Sequence, residues 1–568
     1  MNNRIIGLFY VFVFFIFVIG VAFLFFAVSK PAGYFTPKKK EIQTAIRGSI
    51  YTKEYILAKS NKLYGVYIYP KYIDPDKWEL FYKLFSIYTN IPESKLKKTL
   101  RDDIKKGYKR IRLATVDLKT KQSLEYLRKV LDKKRVFLAD GRGIRRGYGI
   151  ESLDFKRVYP YKDTLEPFLG RYRYDKRRGE NGLEEYYDNL LRAKQNGYRI
   201  GYRDVYGNLI FDNHLKSKKT INGDDLPLNI NLVLQRKIEK LISFQKEKFQ
   251  ADEVLAAVMN SKTGQLLAIA SSNRYDPLHI SKKDIANMKI GAVRDVFEPG
   301  SVMKPIIFAI LLEHNKVNPY ETLDAHNGVW RVPWRKKPIR DDEAFKTLTA
   351  EEGIIHSSNI VLSELALRLS AKEYFDGLRQ FGFSKPTGID LPYELSGKIN
   401  PLRLFRFPVY KSTTAFGYGI DVTFVQLLKA YNAFNDDGIE IAPRLAELPT
   451  PFKRVISAKN ARIMLGILRK VVLSGTGKKA FVKGIFTAGK TGTAHVSKGV
   501  SGYSQDVYDS SFVGFANDKN HRYTIAVTFF NVKAKWPDYF AAANAVPTFK
   551  KIVDIMINEN ILRKSDGK

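Results

Sequence analysis

From Ile5 to Val28 the chain carries no charged residue and is dominated by Phe, Val and Ile. A helix of that length crosses a bilayer, and a cleavable signal peptide has a shorter apolar core. Ala27-Val28-Ser29 is a poor small-residue cleavage match, so the segment reads as an uncleaved anchor. From residue 31 to 225 strand-like pieces such as Tyr64 to Tyr69 alternate with charged helical pieces such as Ser94 to Lys106. Near Leu226 the pattern changes. Leu228 to Leu232 alternates as a strand does, and Val233 to Phe244 has the spacing of an amphipathic helix. Ala256 to Asn260 and Gln265 to Ala270 predict two strands joined by a turn at Gly264. Ile306 to Leu312 is apolar throughout, as in a buried helix. Late strands are expected at Ile485 to Thr493, Asp509 to Phe515 and Thr524 to Phe530, with a last helix from Val546 to Ile561. Strands at both ends with helices between them predict an antiparallel sheet sandwiched by helices, an α+β fold. The expected division is 1–30 for the anchor, 31–225 for a first domain and 226–568 for a second.

Composition narrows this picture. The 568 residues suffice for more than one domain, and 45% hydrophobic with 27% charged residues fits ordinary globular cores. The absence of cysteine excludes disulfides, thiolate metal sites, a cysteine nucleophile and a lipidated N-terminal cysteine. A formal net charge of +37 points to an anionic partner or simply to a lysine-rich composition. The membrane segment argues against nucleic acid. Only Arg4 precedes that segment, while Lys30 and Lys38-Lys39-Lys40 follow it. Taken alone, this bias keeps the C-terminal part in the cytoplasm. Long domains translocate despite local charge, and the chemistry below decides for the outside.

Phe297-Glu298-Pro299-Gly300-Ser301-Val302-Met303-Lys304-Pro305 places a hydroxyl and an amine three positions apart at a helix start. Gly300 permits a sharp entry, and Pro305 suits a first turn. Positions three apart share a helix face, so the Lys304 amine is within reach of the Ser301 hydroxyl. A serine becomes a nucleophile when a base takes its proton, and a buried lysine with a lowered pKa is such a base. Ser357-Ser358-Asn359 follows a helical stretch, and Lys490-Thr491-Gly492-Thr493 lies in a strand-like run. Ser357 is expected to face Ser301 and Lys304 from an interhelical loop and to pass a proton to a leaving amine. Asn359 is expected to orient Lys304 and bind a substrate amide. Lys490 and Thr491 on an edge strand can hold a terminal carboxylate, and Gly492 leaves room for a substrate backbone. His356 and His495 beside the motifs read as packing or surface residues. Trp330 and Trp334 read as part of a loop packed on the body. His, Asp and Glu are too scattered for a recognisable metal site.

Ser-x-x-Lys, Ser-x-Asn and Lys-Thr-Gly in this order form the penicilloyl-serine transferase signature. The whole chain resembles a class B penicillin-binding protein, a peptidoglycan D,D-transpeptidase anchored by one helix. The resemblance implies that backbone N–H groups of Ser301 and Thr493 form an oxyanion hole. It implies an elongated pedestal domain before the penicillin-binding domain, with Arg47-Gly48-Ser49-Ile50, Arg157-Val158-Tyr159-Pro160 and Gly179 to Glu184 as its signature boxes. Arg47, Gly48, Arg157, Gly182 and Glu184 are then structural, with charge-paired contacts. A helix over Tyr186 to Leu191 is expected, but Arg192 stands where a glycine is common. The implied ligands are D-Ala-D-Ala stem peptides and β-lactams. The implied partners are a membrane glycan polymerase and other divisome proteins; no metal or organic cofactor is implied. Glu298, the Asn of Ser-Ser-Asn, Thr491 and the Ala415-Phe416-Gly417-Tyr418-Gly419-Ile420 segment with Thr423 and Gln426 resemble the division type (FtsI-like) more than the elongation type. A D,D-carboxypeptidase, a β-lactamase-type hydrolase or a β-lactam-binding sensor are the rival readings.

Overall fold

The computed structural model describes residues 2–28, 39–139, 147–203, 209–211, 216–497 and 502–565. Lys30, Lys38 and Ser29 of the expected anchor flank lie outside the described residues. Helix α1 (Asn2–Val28) is a single apolar helix. Its window Ile6–Phe25 is long and apolar enough to cross a membrane.

The chain divides into two compact units that interleave in sequence: residues 1–47, 60–156 and 193–223, and residues 48–59, 157–192 and 224–568. The first unit is built on strand β1 (Ile56–Ile68), which enters it at residue 60. There β1 pairs antiparallel with β2 (Ile111–Val116), from Tyr64 opposite Val116 to Ile68 opposite Ile111. Helices α2 (Trp78–Thr89), α3 (Glu93–Lys105) and α4 (Leu118–Lys133) contribute Phe81, Phe85, Leu96, Leu100, Leu124, Leu127 and Leu131 to one core. These residues recur at spacings of three or four, the stripe of an amphipathic helix.

The second unit holds the buried Arg157. Arg157 Nε donates to Glu184 Oε1 at 2.8 Å and Nη1 to the Gly48 carbonyl at 2.6 Å, and both charged side chains are 0% exposed. Tyr159 donates its hydroxyl to the same Glu184 oxygen at 3.1 Å. Gly182 sits at φ +57°, where a Cβ would come within 2.3 Å of the Phe168 carbonyl. Arg47, of the first unit, is likewise buried. The helix expected over Tyr186 to Leu191 breaks at Tyr187 into Gly182–Tyr186 and Asp188–Leu191. Arg192 causes no strain, because its φ is −59° and its guanidinium pairs with Asp188 one turn earlier.

The main sheet of this unit has five antiparallel strands: β3 (Glu253–Asn260), β4 (Leu266–Ser271), β5 (Phe486–Ser497), β6 (Tyr503–Asn517) and β7 (Arg522–Val532). Their order is β4-β3-β7-β6-β5, so the C-terminal β5 is an edge. Gly264 makes the β3–β4 turn at φ +73°. Helices α5 (Leu232–Phe249) and α9 (Ala545–Asn558) share one core cluster with the sheet. A second, larger core holds α6 (Lys304–Glu313) and α8 (Asn359–Leu367), with α7 (Ala350–Ile355) before α8. The strand expected over Leu228 to Leu232 is shorter: it covers Leu226–Pro227 and a bridge at Leu228. Asn231 ends it by capping α5, its side chain accepting the Leu234 N–H at 3.0 Å.

Candidate active site

Ser301 lies in a 3-10 turn, Gly300–Met303, that runs straight into α6. Gly300 enters this turn at φ +62°, a left-handed conformation that glycine adopts without strain. Its N–H donates to the Gly417 carbonyl at 3.2 Å. From the other side the buried Tyr431 donates its hydroxyl to the Val302 carbonyl at 2.6 Å. The nucleophile turn is thus fixed by its backbone at both ends.

Lys304 opens α6 and is 0% exposed. Burial pushes its pKa down to about 8, against the opposing pull of Asp341 and Asp342. Its Nζ donates to Ser357 Oγ at 3.1 Å and also to the Ser357 carbonyl. Among the described residues no hydrogen bond joins Lys304 Nζ to Ser301 Oγ. The expected direct pair is therefore replaced by a contact to the second motif. The cause is the backbone of Ser357, which sits at φ +60° in the α7–α8 loop and offers its carbonyl and hydroxyl to one ammonium.

Lys490 on β5, also 0% exposed, donates to the same Ser357 Oγ at 2.9 Å. It further donates to the Thr491 carbonyl at 3.0 Å and Thr491 Oγ1 at 3.2 Å. Burial first, and Lys304 second, hold its pKa well below the ordinary lysine range. One hydroxyl oxygen with two lone pairs accepts from both lysines, and its own proton stays available for a further acceptor. Thr491 Oγ1 is 2.7 Å from Thr476 Oγ1.

Two expected site residues have partners within the protein. Among the described residues no hydrogen bond joins Asn359 to Lys304: its amide donates to the Arg340 carbonyl at 2.7 Å, and its N–H donates to Asp341 Oδ1 at 2.6 Å. The position is the first of α8, so its backbone faces the carboxylate that caps the helix. Asp341 also accepts from Ser358 Oγ at 2.5 Å and the Ile360 N–H at 3.1 Å. Gly492 makes room for protein: a Cβ there would sit 2.8 Å from the Pro299 carbonyl and 3.0 Å from Val302 Cγ1. Thr493 Oγ1 accepts the Ala541 N–H at 3.1 Å.

Lys304, Ser357, Lys490 and Thr491 are therefore joined by hydrogen bonds, Ser301 lies on the turn packed against Gly492 of β5, and Asn359 bonds to other partners. Asp341, Thr476 and Tyr431 were not singled out by the motifs, and nothing in their local sequence marks them. His495 packs its ring on Tyr508 at 4.6 Å and His356 on Phe345 at 4.9 Å. Trp330 and Trp334 pack with Ile339, Ile360 and Phe416 in a small cluster.

Residues 254–554 match the penicillin-binding protein transpeptidase domain, and residues 42–228 match the penicillin-binding protein dimerisation domain. The chain is 29% identical over 424 residues to a probable peptidoglycan D,D-transpeptidase PenA of Neisseria meningitidis, covering 73% of this chain and 71% of the relative. It is 30% identical over 421 residues to the stage V sporulation protein D of Bacillus subtilis, covering 71% and 62%. Its fold matches that of penicillin-binding protein 2X from Streptococcus thermophilus with a TM-score of 0.73, at 21% identity over 93% of this chain and 83% of that one. A serine and a lysine at the head of a buried helix, a second serine between two lysines, and both matched domains place the chain among the class B penicillin-binding proteins, the serine D,D-transpeptidases of peptidoglycan.

Proposed function

We propose that Ser301 is the nucleophile of a septal cell-wall transpeptidase whose bulk lies outside the cytoplasm. The observation that carries this reading is the Ser357 hydroxyl held between Lys304 and Lys490. A lysine with its pKa near 8 is partly neutral at physiological pH, and its lone pair takes the proton of Ser301 as Oγ attacks the penultimate D-Ala carbonyl. The amide C–N bond then breaks, and Ser357 relays the proton to the departing D-Ala amine. The acyl-enzyme ester is finally attacked by an amine of a neighbouring stem peptide, which restores the Ser301 hydroxyl. Lys490 and Thr491 hold the terminal carboxylate, and the N–H groups of Ser301 and Thr493 receive the oxyanion. β-Lactams enter the same path and stay attached, because their leaving amine remains tethered. Arg157, Glu184, Gly48 and Gly182 hold the fold and take no part in the chemistry.

The septal role rests on Glu298, Asn359 and Thr491 as the variable letters of the motifs, and it implies a membrane glycan polymerase and other division proteins as partners. Likeness to a sporulation protein keeps a developmental wall as the second reading. Fluorescent penicillin followed by peptide mapping tests the nucleophile: label is expected on Ser301, and label that survives Ser301→Ala refutes the assignment. Protease added to intact spheroplasts is expected to remove the bulk of the chain; protection alongside a cleaved periplasmic control reverses the topology. Depletion is expected to give filaments or chains of unseparated cells, whereas rounded, dividing cells point to the elongation type.

A further inference from the structure

Glu298 and the Ala415–Ile420 segment lie more than a hundred residues apart, yet they meet beside the nucleophile turn. Glu298 Oε1 accepts the Gly419 N–H at 2.7 Å and the Tyr503 hydroxyl at 3.2 Å. Two residues back, the Gly417 carbonyl accepts the Gly300 N–H at 3.2 Å. Between them Tyr418 turns to the substrate strand, where its hydroxyl accepts the His495 N–H at 3.2 Å. The Tyr418 and Tyr503 rings also meet edge-on at 5.4 Å. A Cβ at Gly417 would come 2.0 Å from the Gly300 carbonyl oxygen, so the two backbones are pressed together. Residues 417–419 thus touch the turn that carries Ser301 and the strand that carries Lys490, and Glu298 holds that loop by its end.

We propose that Glu298 is a positioning residue: through Gly419 it sets the 417–419 loop, and the loop sets Ser301 against β5. The proposal rests on Ser301 being the nucleophile. A residue without a side-chain acceptor at position 298, such as alanine or proline, leaves the Gly419 N–H without this bond. Glu298 makes the bond with one oxygen. Its Oε2 is buried and hydrogen-bonded to nothing among the described residues, and burial raises the carboxyl pKa. A neutral amide with an oxygen at the Oε1 position is therefore the conservative replacement. The chance alternative is a loop contact that stabilises the fold without setting the nucleophile.

The test is the acylation kinetics of the full-length protein in detergent, with fluorescent penicillin at several concentrations to separate the acylation step from binding. Glu298→Ala and Glu298→Pro are expected to slow the acylation step by about tenfold or more, with binding changed by less than about threefold, as a displaced reacting group does. Glu298→Gln is expected within about threefold of the parent, since its oxygen still accepts both bonds. Glu298→Asp, which is too short to reach Gly419, serves if the alanine variant does not fold, and is expected to be slow. Tyr418→Phe is expected to be slower than the parent, and the double variant with Glu298→Ala no slower than Glu298→Ala alone, because both act through one loop. Parent-like acylation in the alanine or aspartate variant overturns the proposal, as does a loss that glutamine does not rescue. Multiplicative losses in the double variant also overturn it. Label of the parent mapping away from Ser301 is a separate outcome that removes the nucleophile assignment itself.

Discussion

Two buried cationic regions of the second unit show how differently one fold treats a charge taken out of water. Arg157 is given a carboxylate, a carbonyl and a rigid fork, with Glu184 at 2.8 Å. Lys304 and Lys490 are given each other and a shared hydroxyl, and among the described residues no carboxylate lies within ion-pair distance of either. A buried pair breaks even against desolvation when its geometry is good. A buried lysine without a partner answers by giving up its proton more readily. The first arrangement fixes a charge for good, and the second makes a charge negotiable, as a base must be.

The largest way to break this contrast is Lys304→Ala. Acylation by fluorescent penicillin is expected to fall by about a thousandfold or more, the scale for removing a base that acts with its nucleophile. Its melting temperature is expected to stay within a few degrees, because the desolvation cost disappears with the side chain. Arg157→Ala should behave in reverse. It leaves Glu184 as an uncompensated buried charge, which costs about 3–5 kcal/mol, while the folded fraction acylates at the parental rate. Thermal denaturation and active-site titration together check both halves. The double variant Arg157→Met with Glu184→Leu sharpens the point, since an apolar replacement of the pair is expected to recover most of that loss.

A smaller effect reads the negotiable charge directly. The acylation rate should rise with pH around a midpoint near 8, where Lys304 loses its proton. Asp341 pulls that pKa upward, so Asp341→Asn is expected to move the midpoint to lower pH, by about half a unit for a partly screened charge. A pH–rate profile of both proteins decides this; an unmoved midpoint detaches Asp341 from the lysine. The sign for stability follows from the same shift. A lysine whose folded pKa is depressed binds fewer protons folded than unfolded between about 8 and its ordinary value, so its contribution to stability increases as pH rises through that window. Denaturant midpoints from neutral to alkaline pH check the slope against Lys304→Ala, in which this part of the slope is lost.

The sequence displayed these features unevenly. The strands β5, β6 and β7 and the helix α6 were legible because their apolar runs are long and their breaks fall at glycine or polar turns. The three motifs were legible because each is short and continuous. Asp341 was not, since its partners Ser358 and Asn359 lie seventeen and eighteen residues on, across a loop and a helix. The partners of Asn359 were hidden for the same reason: the carboxylate that accepts its N–H comes from elsewhere in the chain. Glu298 carried a recognisable letter, but its partner Gly419 is 121 residues away, and no local pattern links them. Gly492 reads as clearance for a substrate, and its sequence does not show that a Cβ there would also meet the chain's own Pro299.

The interleaving of the two units has a consequence for biosynthesis. Ile50, Leu57, Leu165, Phe168, Leu169, Leu183 and Leu191 belong to the same core as α6 and α8. When the ribosome has made these early segments, the helices that share their core do not yet exist. That core is completed only after more than a hundred further residues emerge. The first unit has its own core. Excision at residue 226 deprives the core of α6 and α8 of nine buried side chains, these seven with Ala58 and Tyr159. The catalytic part is therefore not a self-contained cassette of late sequence, because segments 48–59 and 157–192 belong to its unit.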